Sequence, residues 1–311
     1  MEENINILFL GGAKRVSLAE KFIEEGKILN KNVTIFSYEL DVNVPISFVG
    51  KIIIGLKWND PKLYEHLQQV VKENNISIIL PFLDYATIVA SKLKKMIPEV
   101  FIPVSEIDLC EVFFNKEKAN NWCVENKINI PGELSNFPLI AKPITGSASK
   151  GIIKIVNQEE LNHLANKETY LIQQFITGKE YSFDIYVSPI SKELISIVSR
   201  ERLETQGGES IKSITIKDKK LLDFGKSIIE KSNLVGPLTL QILEDGITKE
   251  LFFMEINPRY GGAVVNSIFA GANSPKYLLQ DYLGIKNTYN EDWKDHFMMV
   301  RRFSEYYKIC N

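Results

Sequence analysis

The chain has 311 residues, 45% of them hydrophobic and 24% charged, with a formal net charge of −2. This composition is typical of a soluble globular protein long enough for two domains, and the near-neutral charge gives no reason to expect binding to nucleic acid or to an anionic membrane. No apolar run approaches the roughly 18 residues that span a bilayer. Three widely spaced cysteines (Cys110, Cys123 and Cys310) favour neither a disulfide framework nor a zinc site. We therefore expect a cytoplasmic protein that acts on small molecules, and leave homodimer formation open.

Short apolar runs alternate with amphipathic helices in the first third of the chain. The predicted strands are 5–10, 33–37, 52–54 and 76–80. This alternation predicts a parallel α/β unit. Ser17 and Glu20 form a candidate capping box for the first helix. The turn at Gly11-Gly12 could hold a phosphate or merely connect strand and helix; the second interpretation is favoured, because the spacing of a dinucleotide fingerprint is absent. Asp84, just after a strand, could contact substrate or cap the next helix.

A lysine precedes a loop of small residues in the middle of the chain. After a predicted helix over 105–126, a strand ends in Ala141-Lys142-Pro143, and the loop 145–151 reads Thr-Gly-Ser-Ala-Ser-Lys-Gly. Small residues let backbone N–H groups approach a phosphate closely, and Lys142 or Lys150 would offset its charge. A simple hairpin is the alternative. If the loop binds phosphate, we expect it to be mobile without nucleotide and to order over a triphosphate.

The rest of the chain alternates mostly strands with a few helices. The predicted strands are 152–156, 170–176, 178–187, 194–203 and 297–303, and the predicted helices are 159–165, 221–232 and 274–282. Backbone at 174–176 could pair with a planar heterocycle, and Glu180 could accept hydrogen bonds from a ribose. Arg200 and Arg202 hint at an anionic substrate, although structural salt bridges explain them equally well.

The segment 236–262 is the most informative, because it reads as two strands joined by a loop at Asp245-Gly246. Alternation places Thr239, Gln241 and Leu243 on one face of the first strand, and Phe253, Glu255 and Asn257 on the same face of the second. The opposite face, which includes Met254, is expected in the core. A loop of about three to five residues would set Gln241 beside Glu255.

Three oxygen donors then converge, a set that suits Mg²⁺ held by few protein ligands and by substrate phosphates. Arg259 follows as a permanent cation able to fork onto an anion. An amphipathic hairpin whose polar side faces water is the alternative. The apolar opposite face and the turn at residues 260–262 favour the metal site.

Taken together, these blocks resemble the ATP-grasp superfamily, in particular stand-alone relatives of the carbamoyl-phosphate synthase large subunit and of carboxylate–amine ligases. The resemblance implies an α/β and α+β architecture in which two lobes clasp ATP. It also implies an N-terminal pre-ATP-grasp domain over 1–110, a small lobe with its linking helix over 111–178, and a large lobe over 179–311. The implied cofactors are ATP and two Mg²⁺ ions, for which Mn²⁺ could substitute.

The resemblance also assigns roles to individual positions. The residues that match the metal positions are Gln241, Glu255 and Asn257, and those that match the catalytic cations are Lys142 and Arg259. The residues that match the nucleotide contacts are Lys116, Lys142, Gly146, Ser147, Ser149, Gly151, Gln174, Phe175, Ile176 and Glu180. The candidate substrate contacts are Arg200, Arg202, Gly261 and Gly262. One departure is Gln173, because many relatives carry an acid at the start of the adenine hinge.

The implied reaction is activation of a carboxylate as an acyl phosphate, followed by its displacement by an amine with release of ADP. Two alternatives stay open. A phosphotransferase on the same fold would stop after phosphorylation, and a nucleotide-binding module would have no turnover. The combination of Gln241, Glu255 and Asn257 argues against the module, because a degenerate site has no need to keep the metal positions.

Overall fold

A computed structural model describes residues 4–132, 136–146, 150–302 and 304–307. The N-terminal part contains a four-stranded parallel sheet in the order β3-β2-β1-β4. Its strands are β1 (Asn4–Leu10), β2 (Asn32–Glu39), β3 (Lys51–Ile54) and β4 (Ile78–Pro81), and its helices are α1 (Val16–Ile28), α2 (Leu63–Glu73) and α3 (Asp84–Met96). Strands and helices alternate as predicted, so the parallel α/β architecture is confirmed.

Helix α1 begins earlier than the candidate capping box requires. The Arg15 N–H donates to the Gly12 carbonyl oxygen at 2.7 Å, so the turn winds directly into a helix that starts at Val16. Ser17 therefore lies inside the first turn, and no side-chain cap bond is present at Arg15. The capping-box prediction was wrong, because the glycine turn itself sets the start of the helix.

The backbone N–H groups at the Gly11-Gly12 turn donate hydrogen bonds to acceptors within the protein. The Glu39 carboxylate accepts hydrogen bonds from the backbone N–H groups of Gly12 and Ala13, and the Ser37 hydroxyl donates to it at 2.6 Å. Burial nevertheless raises the pKa of Glu39. A carboxylate already occupies the place where a phosphate would bind, which favours the interpretation of this turn as a connection.

The region predicted as one helix over 105–126 contains two helices, α4 (Ile107–Phe114) and α5 (Lys116–Glu125). Asn115 separates them. Its side-chain oxygen accepts from the backbone N–H groups of Glu117 and Lys118, both at 3.0 Å, which caps α5. The single-helix prediction was wrong because this local cap competes with helix continuation. The break makes Lys116 the first residue of a helix.

Two antiparallel sheets follow. The smaller has the order β6-β5-β7 and consists of β5 (Leu139–Pro143), β6 (Ile153–Ile155) and β7 (Tyr170–Gln174), with α6 (Gln158–His163). The larger has the order β12-β11-β8-β9-β10-β13 and consists of β8 (Gly178–Val187), β9 (Leu194–Gln206), β10 (Glu209–Thr215), β11 (Gly236–Asp245), β12 (Leu251–Asn257) and β13 (Met298–Val300). Helices α7 (Lys219–Ser232), α8 (Val264–Ala270) and α9 (Ser274–Tyr282) complete the described chain.

One hydrophobic cluster joins the N-terminal sheet to the C-terminal part of the chain. It includes Phe9, Phe22 and Phe82 from the first part and Tyr260 and Leu278 from the second. The rings of Phe82 and Tyr260 stack with centroids 6.2 Å apart and an interplanar angle of 14°. This packing fixes the segment that follows β12 against the start of α3.

The β11–β12 hairpin has the predicted register at its functional end and a bulge beyond it. Gln241 pairs with Glu255, but the register shifts before Ile242, which pairs with Phe253. The extra residue is Met254. As a result Phe253 lies in the core and Met254 lines a cavity with Glu255, so the sides predicted for these two residues were wrong. Strict alternation fails wherever a bulge adds one residue.

The membrane prediction can be compared with the helices of the described ranges. None of them is long and apolar enough to cross a membrane.

The three sheets lie within residues 4–81, 139–174 and 178–300. The division into domains at 110/111 and 178/179 remains a prediction.

Candidate nucleotide and metal site

A cavity of about 260 Å³ is lined by strands of both antiparallel sheets. It brings together many of the residues singled out from the sequence. Those that line it are Lys116, Lys142, Gly146, Gln174, Phe175, Ile176, Glu180, Arg202, Gln241 and Glu255. They come from positions far apart in the sequence, so the fold collects them at one place.

The hairpin aligns three oxygen-bearing side chains. Gln241 on β11 lies opposite Glu255 on β12, and Asn257 follows two residues later, opposite Thr239. The Asn257 amide donates to Glu255 Oε1 at 3.0 Å. Glu255 and Asn257 also line a smaller adjoining cavity together with Asp84. The loop of this hairpin spans 246–250, within the predicted length.

Lys142 is buried at the end of β5, with 6% of its surface exposed. Burial lowers the pKa of its ammonium; Glu255 and Glu180 oppose this effect and Lys116 adds to it. Its Nζ donates to the Oε1 of Gln173 at 3.4 Å. A glutamate at position 173 would neutralise Lys142, whereas the amide of Gln173 leaves its charge available for an anion.

Lys116 fixes the start of the small-residue loop. Its Nζ donates to the Gly146 carbonyl oxygen at 2.9 Å. Gly146 and Gly151 both have positive φ, 123° and 74°, a conformation that favours glycine. Ser147 and Ser149 lie outside the described residues, which leave out residues 147–149, three of the seven residues of the predicted lid.

Glu180 on β8 and Arg202 on β9 form a charged wall of the cavity. Arg202 Nη1 forms an ion pair with Glu180 and donates to Gln241 Oε1 at 2.8 Å, while Nη2 donates to the Gly208 carbonyl oxygen at 2.7 Å. Burial raises the pKa of Glu180; Arg202 opposes that rise and Glu255 adds to it. Arg202 therefore orders both the carboxylate predicted to contact a ribose and the amide predicted to hold a metal.

Comparison with known proteins identifies the fold that contains this cavity. The family described as ATP-grasp in the biosynthetic pathway with Ter operon matches residues 166–304. The biotin carboxylase domain of Hydrogenobacter thermophilus 2-oxoglutarate carboxylase, crystallised with MgADP, ADP and bicarbonate, has a TM-score of 0.73 at 15% identity, covering 94% of this chain and 73% of that chain. The chain has the ATP-grasp fold.

Two further solved structures have the same ATP-grasp fold. Staphylococcus aureus N5-carboxyaminoimidazole synthetase, complexed with ADP, has a TM-score of 0.73 at 17% identity and covers 93% of this chain and 80% of that chain. L-amino acid ligase from Bacillus licheniformis has a TM-score of 0.69 at 20% identity and covers 94% of this chain and 77% of that chain.

Similarity to curated proteins extends over a shorter segment of the chain. It is 29% identical over 85 residues to the 5-formaminoimidazole-4-carboxamide-1-(beta)-D-ribofuranosyl 5'-monophosphate synthetase of Methanosarcina acetivorans, covering 25% of this chain and 24% of that relative. The same figures hold for the corresponding synthetase 1 of Methanosarcina mazei. The chain thus matches about a quarter of the length of these relatives.

Four further predicted residues lie outside the main cavity. Arg200 is 1% exposed and its Nε and Nη2 bind Asp184 at 2.6 and 3.1 Å, so it stabilises the large sheet from within. Arg259 Nε and Nη2 both lie 2.6 Å from Asp84 Oδ1. Gly261 and Gly262 line a different, larger cavity.

Sequence reasoning missed the apolar walls of the cavity. Ile140 and Leu243 lie two residues from Lys142 and Gln241 on the same strands and line the cavity with them. Alternation had already placed Leu243 on the face of Gln241, and the same pattern could have found Ile140. Met254 could not be found in this way, because the bulge decides its direction.

The metal prediction rests on amide oxygens as well as a carboxylate. Within the described ranges, no group of three His, Cys, Asp or Glu side chains is placed to hold a metal ion. Gln241, Glu255 and Asn257 instead offer one carboxylate and two neutral oxygens on one hairpin. Hard oxygen donors in small number fit Mg²⁺, which keeps part of its shell for water and phosphate.

Proposed function

We propose that this protein is an ADP-forming ligase that activates a carboxylate with ATP and joins it to an amine. The observation that carries the proposal is the hairpin that sets Glu255 beside Gln241 and next to Asn257, in a cavity that also holds Lys142 and Glu180. The similarity to ATP-grasp structures containing ADP or MgADP supports nucleotide binding. The proposed substrates are small molecules.

The cavity has separate features for each part of a nucleotide. Ile140, Ile152, Leu243 and Met254 form apolar walls on which a planar heterocycle could stack, close to the hinge at 174–176. Glu180 would accept hydrogen bonds from the ribose. Lys142 and Lys116 line the same cavity and would neutralise phosphate charge.

Mg²⁺ would be held by Glu255, Asn257 and Gln241, and it would supply charge neutralisation during phosphoryl transfer. The protein side chains have different tasks. Lys142 positions the phosphates, and Arg259 stabilises charge that develops on the transferred phosphoryl group. Arg202 keeps Glu180 and Gln241 in place.

The proposed chemistry has two steps. A carboxylate oxygen of the first substrate attacks the γ-phosphorus of ATP, which forms an acyl phosphate and releases ADP. The nitrogen of the second substrate then attacks the acyl carbon, phosphate leaves, and the proton lost by the amine passes to water or phosphate. Positioning and charge neutralisation suffice for the first step without a nucleophilic side chain.

The test is a screen of carboxylic acids and amines in pairs, with Mg-ATP, for release of ADP and phosphate. We expect one pair to stimulate ADP release and to yield an equimolar condensation product. A phosphorylated product that accumulates without condensation would indicate a phosphotransferase. Tight Mg-ATP binding without stimulated release by any pair would indicate the non-catalytic module. The Glu255→Gln variant serves as the matched negative control.

Lys142 gives a prediction about pH. Its pKa is lowered by burial, so its ammonium loses the proton at a lower pH than an ordinary lysine, and phosphate binding needs that proton. We expect the affinity for Mg-ATP to fall as pH rises through values that lie below the range in which an ordinary lysine titrates. Titration calorimetry across this range measures it.

The control for this prediction is Lys142→Met, in which affinity should be weak throughout and much less dependent on pH. Lys219→Met, which removes an exposed cation on α7, should behave like the parent. A parent affinity that stays constant to the top of the range would contradict the assignment of Lys142 to the phosphates.

A further inference from the structure

A second cavity, of about 650 Å³, is lined by residues from both the N-terminal and the C-terminal parts of the chain. It is bounded by the start of α1, by α8 and by residues from 297–302 and 304–306, and it includes Gly261 and Gly262. Tyr260 separates these glycines from Arg259 in the sequence. The cavity lining therefore begins two residues after the arginine that is proposed to stabilise the transferred phosphoryl group.

Arginine is concentrated around this cavity. The chain has arginine at six positions, against 37 lysines and arginines together. Arg15, Arg301 and Arg302 line the cavity, and Arg259 lies two residues before Gly261. A planar guanidinium can bind a carboxylate through two parallel hydrogen bonds, whereas a lysine ammonium acts as a point charge.

The guanidinium groups of Arg15 and Arg301 share one carboxylate. Glu209 Oε1 lies 3.0 Å from Arg15 Nη2, and Glu209 Oε2 lies 2.9 Å from Arg301 Nη1. One negative charge thus faces two positive charges. Burial lowers the pKa of Arg15, Glu209 opposes that effect, and the nearby cations Arg259 and Arg301 add to it. The surplus of positive charge favours an anion in the cavity.

Close packing fixes these groups next to α8. Arg301 Nη2 also donates to the Gly262 carbonyl oxygen. A Cβ at Gly262 would lie 2.7 Å from the carboxyl carbon of Glu209, so only glycine lets the carboxylate approach the backbone this closely. Arg301 is therefore held beside Gly262, which lies four residues before Asn266.

Asn266 lines the same cavity and is 1% exposed. Its amide nitrogen donates to Ser213 Oγ at 3.0 Å, while its Oδ1 has no hydrogen-bond partner among the described residues. A buried acceptor without a donor is costly. A ligand N–H group would satisfy it.

The rest of the lining is largely apolar. The apolar residues include Leu18, Val264, Val265, Phe269, Phe297 and Met298. Phe269 and Met298 are 55% and 49% exposed. Exposed large apolar side chains beside a charged cluster are typical of a binding site.

We propose that this cavity binds the amine substrate, and that this substrate is an apolar amino acid. Its carboxylate lies on Arg15 and Arg301, its nitrogen donates to Asn266 Oδ1, and its side chain packs on the apolar lining. The inference rests on the proposed ligase function. A carboxylate neutralised by two guanidiniums is recognised rather than activated, so the reacting group of this substrate is its nitrogen.

Binding is tested without turnover. Saturation-transfer NMR with the parent protein and Mg-ADP compares leucine, methionine and phenylalanine with three matched sets: their amides, the same acids without the amino group, and glutamate and lysine. We expect the apolar amino acids to bind best. Equal binding of the amides or of the acids without nitrogen would overturn the proposal, and so would a preference for glutamate or lysine.

The variant Arg301→Gln keeps the side chain polar and removes the planar, charged guanidinium group. Loss of a charge-assisted hydrogen bond should weaken amino-acid binding by about 10–100-fold, while Mg-ATP affinity stays at the parent value. Lys219→Gln removes a cation from an exposed pair with Asp223 and should change neither. An Arg301→Gln variant that binds the amino acid as tightly as the parent would overturn the proposal.

Different results would contradict the proposed ligase function and the proposed amino-acid site. If ADP release is stimulated by an amine that is not an amino acid, the ligase function stands and the assignment of this cavity is wrong. If apolar amino acids bind in an Arg301-dependent way but no acid stimulates ADP release, the cavity assignment stands and the ligase function is wrong.

Discussion

The Glu255→Gln variant is expected to release ADP about 10²–10³-fold more slowly than the parent, by analogy with the removal of one preorganised electrostatic contact. Glu255 is the carboxylate among the three proposed metal donors, and its neighbours Gln241 and Asn257 offer neutral oxygens. Neither amide can replace the lost negative charge. The substitution keeps the size of the side chain and its place on β12.

Stability should change little in this variant, because a carboxylate surrounded by other oxygen donors is not a stabilising arrangement without its ligand. Mg²⁺-dependent ADP release and the Tm are measured together. Glu244→Gln, at the other end of the same hairpin and outside both cavities, is the matched control and should turn over like the parent. A Glu255→Gln variant with parent Tm and turnover within a few-fold of the parent would remove Glu255 from the metal site.

Local patterns predicted the parts of this site that depend on one or two neighbouring strands. The register of Gln241 against Glu255 followed from alternation and from a loop long enough to join the strands. The side of Met254 and Phe253 did not follow, because a bulge adds one residue and reverses the alternation beyond it. A single sequence contains no signal for that bulge.

Long-range contacts were harder to predict. Glu209 is separated by 194 residues from Arg15 and by 92 from Arg301, yet the three side chains meet. No periodicity connects positions that far apart. Arg200 and Arg202 illustrate the same difficulty, because alternation places both on one face of β9, yet Arg200 is buried against Asp184 and only Arg202 reaches the cavity.

The break between α4 and α5 was not predicted from the apolar stripe. The stripe over 105–126 predicted one helix, but Asn115 caps a new one at Lys116. That break directs Lys116 towards Gly146 and the cavity. The capping ability of asparagine was visible in the sequence, so a closer reading of Asn115 could have found it.

Arg259 connects the two halves of the proposed catalytic centre. It follows Asn257 on the hairpin, and its Nη2 donates to Asn257 Oδ1 at 3.2 Å. Asp84, at the start of α3 in the N-terminal part, holds the same guanidinium at 2.6 Å. The cation is thus positioned before substrate binds, which is the condition under which a fixed charge contributes most to a transition state.

We therefore expect Arg259→Gln to lower the rate of ADP release by about 10³-fold, the lower end of the effect of an arginine that stabilises a transferred phosphoryl group. The KM for ATP should stay within a few-fold of the parent value, because Arg259 is not among the residues that line the nucleotide cavity. Arg259→Lys keeps the charge but cannot bind Asp84 and Asn257 through a planar fork, so it should recover only part of the rate. Steady-state ADP release and Mg-ATP binding are measured for both variants beside Lys219→Gln. If Arg259→Gln raises the KM for ATP while the maximal rate is unchanged, Arg259 binds nucleotide and does not stabilise the transferred group.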